Sequence, residues 1–185
     1  MLLDVSEGVY PPAEDSFLLA ENLGVGSEDV VLDMGTGCGI QALCAAGRAK
    51  SVLGVDINPA AVENAIANAK KNKIRNAEFI VSDLFSCVSG EFDLIIFNPP
   101  YLPTEGDLMD YALDGGDRGV EVILKFIDKA PEHLNEGGRL KFLVSSLNSL
   151  PAVERKLSKS GFKFKYLAEK KMFFEKLMVV EAVMR

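Results

Sequence analysis

A chain of 185 residues, 48% hydrophobic and 25% charged, is long enough to bury one real core and fits a single domain. Its net charge of −7 argues against bulk nucleic-acid binding, which depends on Lys and Arg neutralising phosphates. No apolar run reaches the length of a membrane span, Asp4 and Glu7 occupy the place of a signal peptide's basic start, and Cys38, Cys44 and Cys87 read as reduced buried thiols, so a cytoplasmic protein is expected.

In chain order, Pro12–Leu23 reads as an amphipathic helix, so residues 1–24 are expected to form a helical extension packed on the single domain 1–185. Asp29–Met34 is a short Val/Leu strand, and Gly39–Ala46 is the helix after it. Ser51–Asp56 is a second strand, followed by a helix that starts with Pro59 in its first turn and runs to about Lys71. Ala77–Val81 is a third strand. Phe92–Phe97, apolar almost throughout, suits a strand buried on both faces. A loop over 102–119, rich in Gly and Asp, suits either a substrate lid or a surface connection, with Asp117 able to cap the next helix. That helix is expected over Val120–His133, then a strand over Gly138–Ser145 and a helix over Pro151–Ser158. Two strands, Phe162–Ala168 and Lys176–Val183, are joined by a turn around Lys171–Phe174. The alternation implies right-handed βαβ units. The predicted fold is therefore α/β and Rossmann-like: a seven-stranded, mostly parallel sheet with helices on both faces and a C-terminal antiparallel hairpin.

Chemistry gathers at the strand ends. The first strand runs into Asp33-Met34-Gly35-Thr36-Gly37-Cys38-Gly39-Ile40, where glycines allow a tight turn and close approach to a ligand. A dinucleotide fingerprint needs a third glycine where Ile40 stands, and Asp33 would repel a pyrophosphate. The pattern suits a zwitterionic ligand with an amino group. Asp56 ends the second strand, where an acid can accept from both ribose hydroxyls, and Asp83 ends the third, where it can accept from an adenine amine. The fourth strand ends in Asn98-Pro99-Pro100-Tyr101. Two prolines hold this segment extended and remove two N–H donors, leaving the Asn98 side-chain oxygen and the Pro99 carbonyl as a lip of acceptors beside the Tyr101 ring. Such a lip can grip the NH₂ of a planar amide or a base amine. His133 is the only histidine, so no metal site is expected and His133 itself suits a capping or solvent-facing role.

These motifs, with Tyr10-Pro11-Pro12-Ala13-Glu14-Asp15-Ser16 near the start, resemble the class I S-adenosylmethionine-dependent methyltransferases of the HemK-like amide-nitrogen group. Together with Phe173-Phe174-Glu175-Lys176-Leu177, they look like its short archaeal and eukaryotic branch, whose members methylate the Gly-Gly-Gln glutamine of class I peptide release factors. The resemblance implies S-adenosylmethionine as cofactor and S-adenosylhomocysteine as product. It places Asp33 and Gly35 at the methionine end, Asp56 at the ribose, Asp83 with Leu84 at the adenine and Ser16 over the methionine carboxylate, and it counts Gly37, Gly39, Ile57 and Asn98 among the cofactor-binding residues. It assigns catalysis to Asn98, Pro99, Pro100 and Tyr101. It further implies a small zinc-binding activator protein docking at the third-strand edge near Ala77–Val81.

Two other readings use the same residues. A nucleic-acid adenine- or guanine-amine methyltransferase would need the clusters Lys70, Lys71, Lys73, Arg75 and Lys163, Lys165, Lys170, Lys171 to converge beside Asn98, and the acidic balance disfavours it. A non-catalytic cofactor-binding scaffold would have no use for the acceptor lip.

Overall fold

The computed structural model describes residues 1–101 and 120–184, so the 102–119 loop and Asp117 lie outside the described residues. Helix α1 (Glu14–Glu21) precedes β1 (Val30–Met34), α2 (Ile40–Ala46), β2 (Ser51–Asp56), α3 (Pro59–Lys71), β3 (Ala77–Val81) and β4 (Phe92–Phe97). After these come α4 (Glu121–Lys129), a 3₁₀ turn (Ala130–His133), β5 (Leu134–Ser145), α5 (Leu150–Lys159), β6 (Phe162–Lys171) and β7 (Lys176–Met184). The sheet order is β3-β2-β1-β4-β5-β7-β6, with β7 antiparallel to both of its neighbours and the remaining pairs parallel. All four predicted acceptor positions therefore lie along one carboxyl edge.

Alternation along β1 sorts the core into two layers. Leu32 and Met34 face a layer that includes α4 and α5, while Val31 faces α1 and α2. Asn58 rather than Asp56 caps α3, its side chain accepting from the Ala60 N–H (3.0 Å). Gly54 keeps the sheet tight beneath the first turn: a Cβ there would lie 2.5 Å from the Phe79 ring and 2.9 Å from Thr36 Oγ1. Gly54→Val is expected to cost about 1–3 kcal/mol by overpacking. A urea midpoint equal to the wild type's would show that the Phe79 ring can move aside.

Several boundaries differ from expectation. The extension is helical only over Glu14–Glu21. Residues 2–6 instead run beside α3 and enter a turn at Glu7–Gly8, while Asn64 and Asn68 on the helix and Asn72 at its C-cap stand four residues apart along one side. Their side-chain oxygens accept from the N–H groups of Ser6 (3.0 Å), Asp4 (2.9 Å) and Leu2 (2.8 Å). Their NH₂ groups donate back to the Asp4 and Leu2 carbonyls, and Asn58 does the same to Gly8. The helix over Val120–His133 divides: α4 ends at Lys129 and a 3₁₀ turn over Ala130–His133, with Pro131 as its second residue, follows. Strand β5 starts four residues before Gly138, with Leu134 pairing Phe92 through an irregular register. His133, half-buried, stacks on Phe85 (4.6 Å between rings) with Nδ1 3.2 Å from the Gly90 carbonyl, so one side of the ring packs while the other meets solvent. Cys38 is buried, Cys44 half-buried and Cys87 exposed; all three are free thiols. Among the described residues, no helix is long and apolar enough to cross a membrane, and no cluster of three His, Cys, Asp or Glu side chains could hold a metal.

Candidate active site

The turn after β1 is held from below. Asp33 is fully buried, its Oδ2 accepting from Thr36 Oγ1 (2.7 Å) and from the Ala42 N–H (3.0 Å) in the first turn of α2. Burial pushes its carboxyl up to about 7. Asp33 Oδ1 has no hydrogen-bond partner, which is an open acceptor beneath the glycine turn. Above it, Gly35, Gly37 and Gly39 all have left-handed φ (62°, 55° and 88°). The direction a Cβ would take from Gly37 is empty to 4 Å, whereas at Gly39 it would press on Ala65 at 3.2 Å. The turn thus offers open space at one glycine and close helix packing at the other.

Asp56 faces this turn. Its Oδ2 accepts from the Gly37 N–H and its Oδ1 from the Asn58 N–H, each at 2.9 Å, and burial raises its carboxyl above the ordinary range. Ile57 beside it is exposed, as is Asp83 at the end of β3. Leu84 holds φ at 46°, a conformation that costs energy in a residue with a Cβ and that recurs at ligand sites. A zwitterion carrying an amino group and a nucleoside fits this edge: an orphaned buried carboxylate oxygen, an open glycine turn, and acids at two further strand ends.

The acceptor lip is oriented by α1. Asn98 Nδ2 donates to Asp15 Oδ2 (3.1 Å) and to Ser16 Oγ (3.3 Å). An ionised carboxylate only accepts, so Asp15 fixes which way the amide lies. Asn98 Oδ1 is left buried and without a partner. Ser16, also buried, sits between the two halves of the site: its hydroxyl meets Asn98 and Asp15, and its carbonyl accepts from Gln41 Nε2 (2.8 Å). Tyr10 donates its hydroxyl to Asp15 Oδ2 (3.2 Å). Burial first, and the Asp15 charge second, hold the Tyr10 and Tyr101 phenols well above their ordinary range, so both stay protonated at neutral pH. The Tyr101 carbonyl accepts from Asn148 Nδ2 (2.8 Å), and Asn148 Oδ1 accepts from the Ser145 N–H (2.8 Å). Ser145 Oγ in turn donates to Glu175, which ties the lip to the β6–β7 turn.

All the predicted residues lie along this edge, and the structure brings Ser16 into contact with Asn98. Asp33 is wholly buried: its Oδ2 braces the turn, and its Oδ1 is left without a partner beneath it. Asp15, Tyr10, Ser145, Asn148 and Glu175 escaped sequence reasoning as site residues. The signal for Asp15 was available in Glu14-Asp15-Ser16, two polar groups after the first residue of a helix that must bury one face.

The chain matches the methyltransferase small domain family over residues 12–174. It is 46% identical over 180 residues to a Methanocaldococcus jannaschii protein provisionally named a protein N5-glutamine methyltransferase, covering 94% of this chain and 91% of that one. Among solved structures it resembles E. cuniculi Mtq2, described in complex with Trm112 as responsible for methylating the termination factor eRF1 (TM-score 0.78, 27% identity, 96% of this chain and 99% of that one). It also resembles the T. thermophilus 16S rRNA N2 G1207 methyltransferase RsmC, solved with AdoMet and guanosine (TM-score 0.71, 25% identity), spanning 95% of this chain but only 44% of that one. A seven-stranded sheet of this order, a glycine turn over a buried acid and a match across most of the chain agree: the chain belongs to the methyltransferase small domain family.

Proposed function

We propose that the chain is an S-adenosylmethionine-dependent N-methyltransferase acting on the Gly-Gly-Gln glutamine of a class I peptide release factor. The observation that carries this reading is Asn98 Oδ1, a buried carbonyl with no partner, on an amide whose other end is held by Asp15. Leaving such an acceptor unpaired costs about 1–3 kcal/mol, a cost recovered when a substrate N–H reaches it. The Pro99 carbonyl is the second acceptor, and a primary amide has two N–H groups to donate. Two directed acceptors raise electron density on an amide nitrogen that is otherwise a poor nucleophile, and the rigid Pro99-Pro100 segment fixes its approach. Tyr101 packs against the amide plane.

When bound, S-adenosylmethionine supplies a methyl group activated by its sulfonium sulfur, and S-adenosylhomocysteine is what remains. Asp33 Oδ1 and the turn Gly35, Gly37, Gly39 would hold its amino-acid end, with Ser16 over the carboxylate. Asp56 with Ile57 would take the ribose, and Asp83 with the strained Leu84 backbone the adenine. The nitrogen gains the methyl and sheds a proton, with no covalent enzyme intermediate.

The similarity to Mtq2 supports an activator partner. Strand β3 pairs only with β2 among the described residues, and Val81 (46% exposed) and Ile66 (49%) lie uncovered. We assign the docking of a small zinc-binding activator to this edge, by strand addition along Ala77–Val81. The likeness to RsmC supports a second reading, transfer to a base amine on RNA.

The test is transfer of labelled methyl from S-adenosylmethionine to a release factor carrying Gly-Gly-Gln or Gly-Gly-Ala, with and without the activator. Label on the first and not the second is expected. Label on ribosomal RNA and on neither factor would replace the glutamine reading with the base-amine one.

A further inference from the structure

The turn joining β6 to β7 carries Phe173 and Phe174 at 91% and 86% exposure, packed edge to face with ring centroids 4.6 Å apart. Met172 beside them is partly exposed, as is Leu147 in the turn after β5. An isolated exposed Leu needs no explanation, but two nearly naked aromatic rings on one turn mark a contact surface.

This turn is rigidly placed. The Met172 N–H donates to the Glu175 carbonyl (2.8 Å), the Ser146 N–H to the Lys176 carbonyl (2.9 Å) and the Lys176 N–H to Ser146 Oγ (2.9 Å). Through Glu175, Ser145 and Asn148 the turn is linked to the Tyr101 carbonyl, so the rings are carried on the same framework as the acceptor lip. Because β7 runs antiparallel to β5, its start lies at the carboxyl edge where Asn98 sits.

We infer that Phe173 and Phe174 form the surface on which the substrate protein docks while its amide rests on Asn98. This inference rests on the proposed glutamine reading. Charge favours a protein over a nucleic acid here. Three of the neighbouring lysines are engaged by acids: Lys170 by Glu14, Lys176 by Glu169 (3.0 Å) and Lys165 by Glu181 (2.9 Å), while Lys171 has no ion pair among the described residues. Among the described residues that leaves Lys171 beside the turn rather than a broad cationic track for phosphates, and Glu175 follows the rings directly in the chain. Aromatic rings buried at the centre of a contact carry a disproportionate share of protein–protein affinity.

The experiment compares the full chain, with its activator, as wild type, as the Phe173→Ser/Phe174→Ser double variant and as the Phe173→Tyr/Phe174→Tyr double variant. Each is assayed on whole release factor and on a short Gly-Gly-Gln peptide. Affinity for the factor is also measured by equilibrium binding with S-adenosylhomocysteine present. The serine variant is expected to raise the factor's KM and Kd at least tenfold, with kcat and transfer to the peptide within twofold of wild type. The tyrosine variant, which keeps both rings, is expected to restore the factor's KM.

An unchanged Kd and KM for the serine variant overturns the inference. So does an equal loss on factor and peptide, which would mean that the turn acts only by bracing the lip. Loss of RNA retention or of self-association, with the factor's KM unchanged, would also overturn it by assigning the rings to another partner. A wild type that neither binds nor labels the factor sinks the glutamine reading and this inference together. A wild type that labels the factor, with a serine variant that labels it equally fast, sinks this inference alone.

Discussion

Asn98→Ala is expected to lower kcat by roughly 100- to 1,000-fold, a barrier increase of about 3–4 kcal/mol, while S-adenosylhomocysteine binds within a few-fold of wild type. The reason lies in what the side chain does and where it is held. Its oxygen is an acceptor already stripped of water, and its nitrogen is committed to Asp15 and Ser16. Alanine removes the acceptor without disturbing the glycine turn that would receive the cofactor. Asp15→Ala should give a smaller loss of the same kind, because the amide would then be free to turn its NH₂ toward the substrate and present a donor to a donor. The check is single-turnover transfer alongside calorimetric titration with S-adenosylhomocysteine. An Asn98→Ala enzyme that keeps more than a tenth of wild-type kcat would remove Asn98 from the chemistry. A parallel collapse of cofactor affinity would instead make it a structural residue of the cleft.

Asp33→Asn should make the ligand-free protein more stable at pH 8 and a poorer binder of cofactor. Between pH 3.8 and about 7 the folded state holds the Asp33 proton more tightly than the unfolded chain does, since burial raises its carboxyl to about 7. Stability therefore falls as pH rises through that window. The cost is absent below it and complete above it, reaching about 4 kcal/mol. Asparagine, uncharged at every pH, escapes that cost yet can still accept from Thr36 and Ala42. The Tm of the variant should exceed wild type at pH 8, and the gap should close toward pH 4. Affinity for S-adenosylhomocysteine should drop by about 1.5–3 kcal/mol, the range for a hydrogen bond to a charged group. A variant less stable than wild type at pH 8 would show that the two bonds to the ionised carboxylate outweigh its burial. Stability held in reserve for ligand is a known feature of binding sites.

The cofactor half of this molecule is legible in sequence because its signals are local. Pro59 at the first turn of α3, the glycine spacing after Asp33 and the apolar run of β4 each act within a few residues, and their elements match the expected bounds closely. What was hidden depends on partners far away in the chain. The strand pairing of Leu134 needs Phe92, and nothing in Asn135-Glu136-Gly137 suggests a strand without it. The last residues of β6, Glu169-Lys170-Lys171, look like loop, yet an edge strand tolerates charge on both faces. Asp15 reads as an ordinary acid in a helix's first turn until Asn98, 83 residues later, is brought against it. The core of each element can be read from its own residues, whereas the bonds that aim the site join segments no short window contains.

The polar contact between residues 2–8 and α3 recognises mostly backbone, with Leu3 as an apolar anchor on the cluster that includes Ala61. Toward this strap Asn64, Asn68 and Asn72 bond only to main-chain N–H and carbonyl groups, and the ion pair across the contact is Asp4 to Lys71 (2.7 Å). Selection on this segment therefore acts on periodicity rather than on identity. Positions 2, 4 and 6 must each keep a free N–H and so are closed to proline, position 3 must stay apolar because Leu3 packs on the cluster of Val9, Cys38, Ile40 and Ala61, and position 5, where Val5 is exposed, tolerates most side chains. An insertion or deletion of a single residue would be more damaging than several substitutions together, since it would turn every bonded group away from the helix at once. Among relatives, such a strap would drift quickly in sequence and hardly at all in length, a pattern easily mistaken for a dispensable leader.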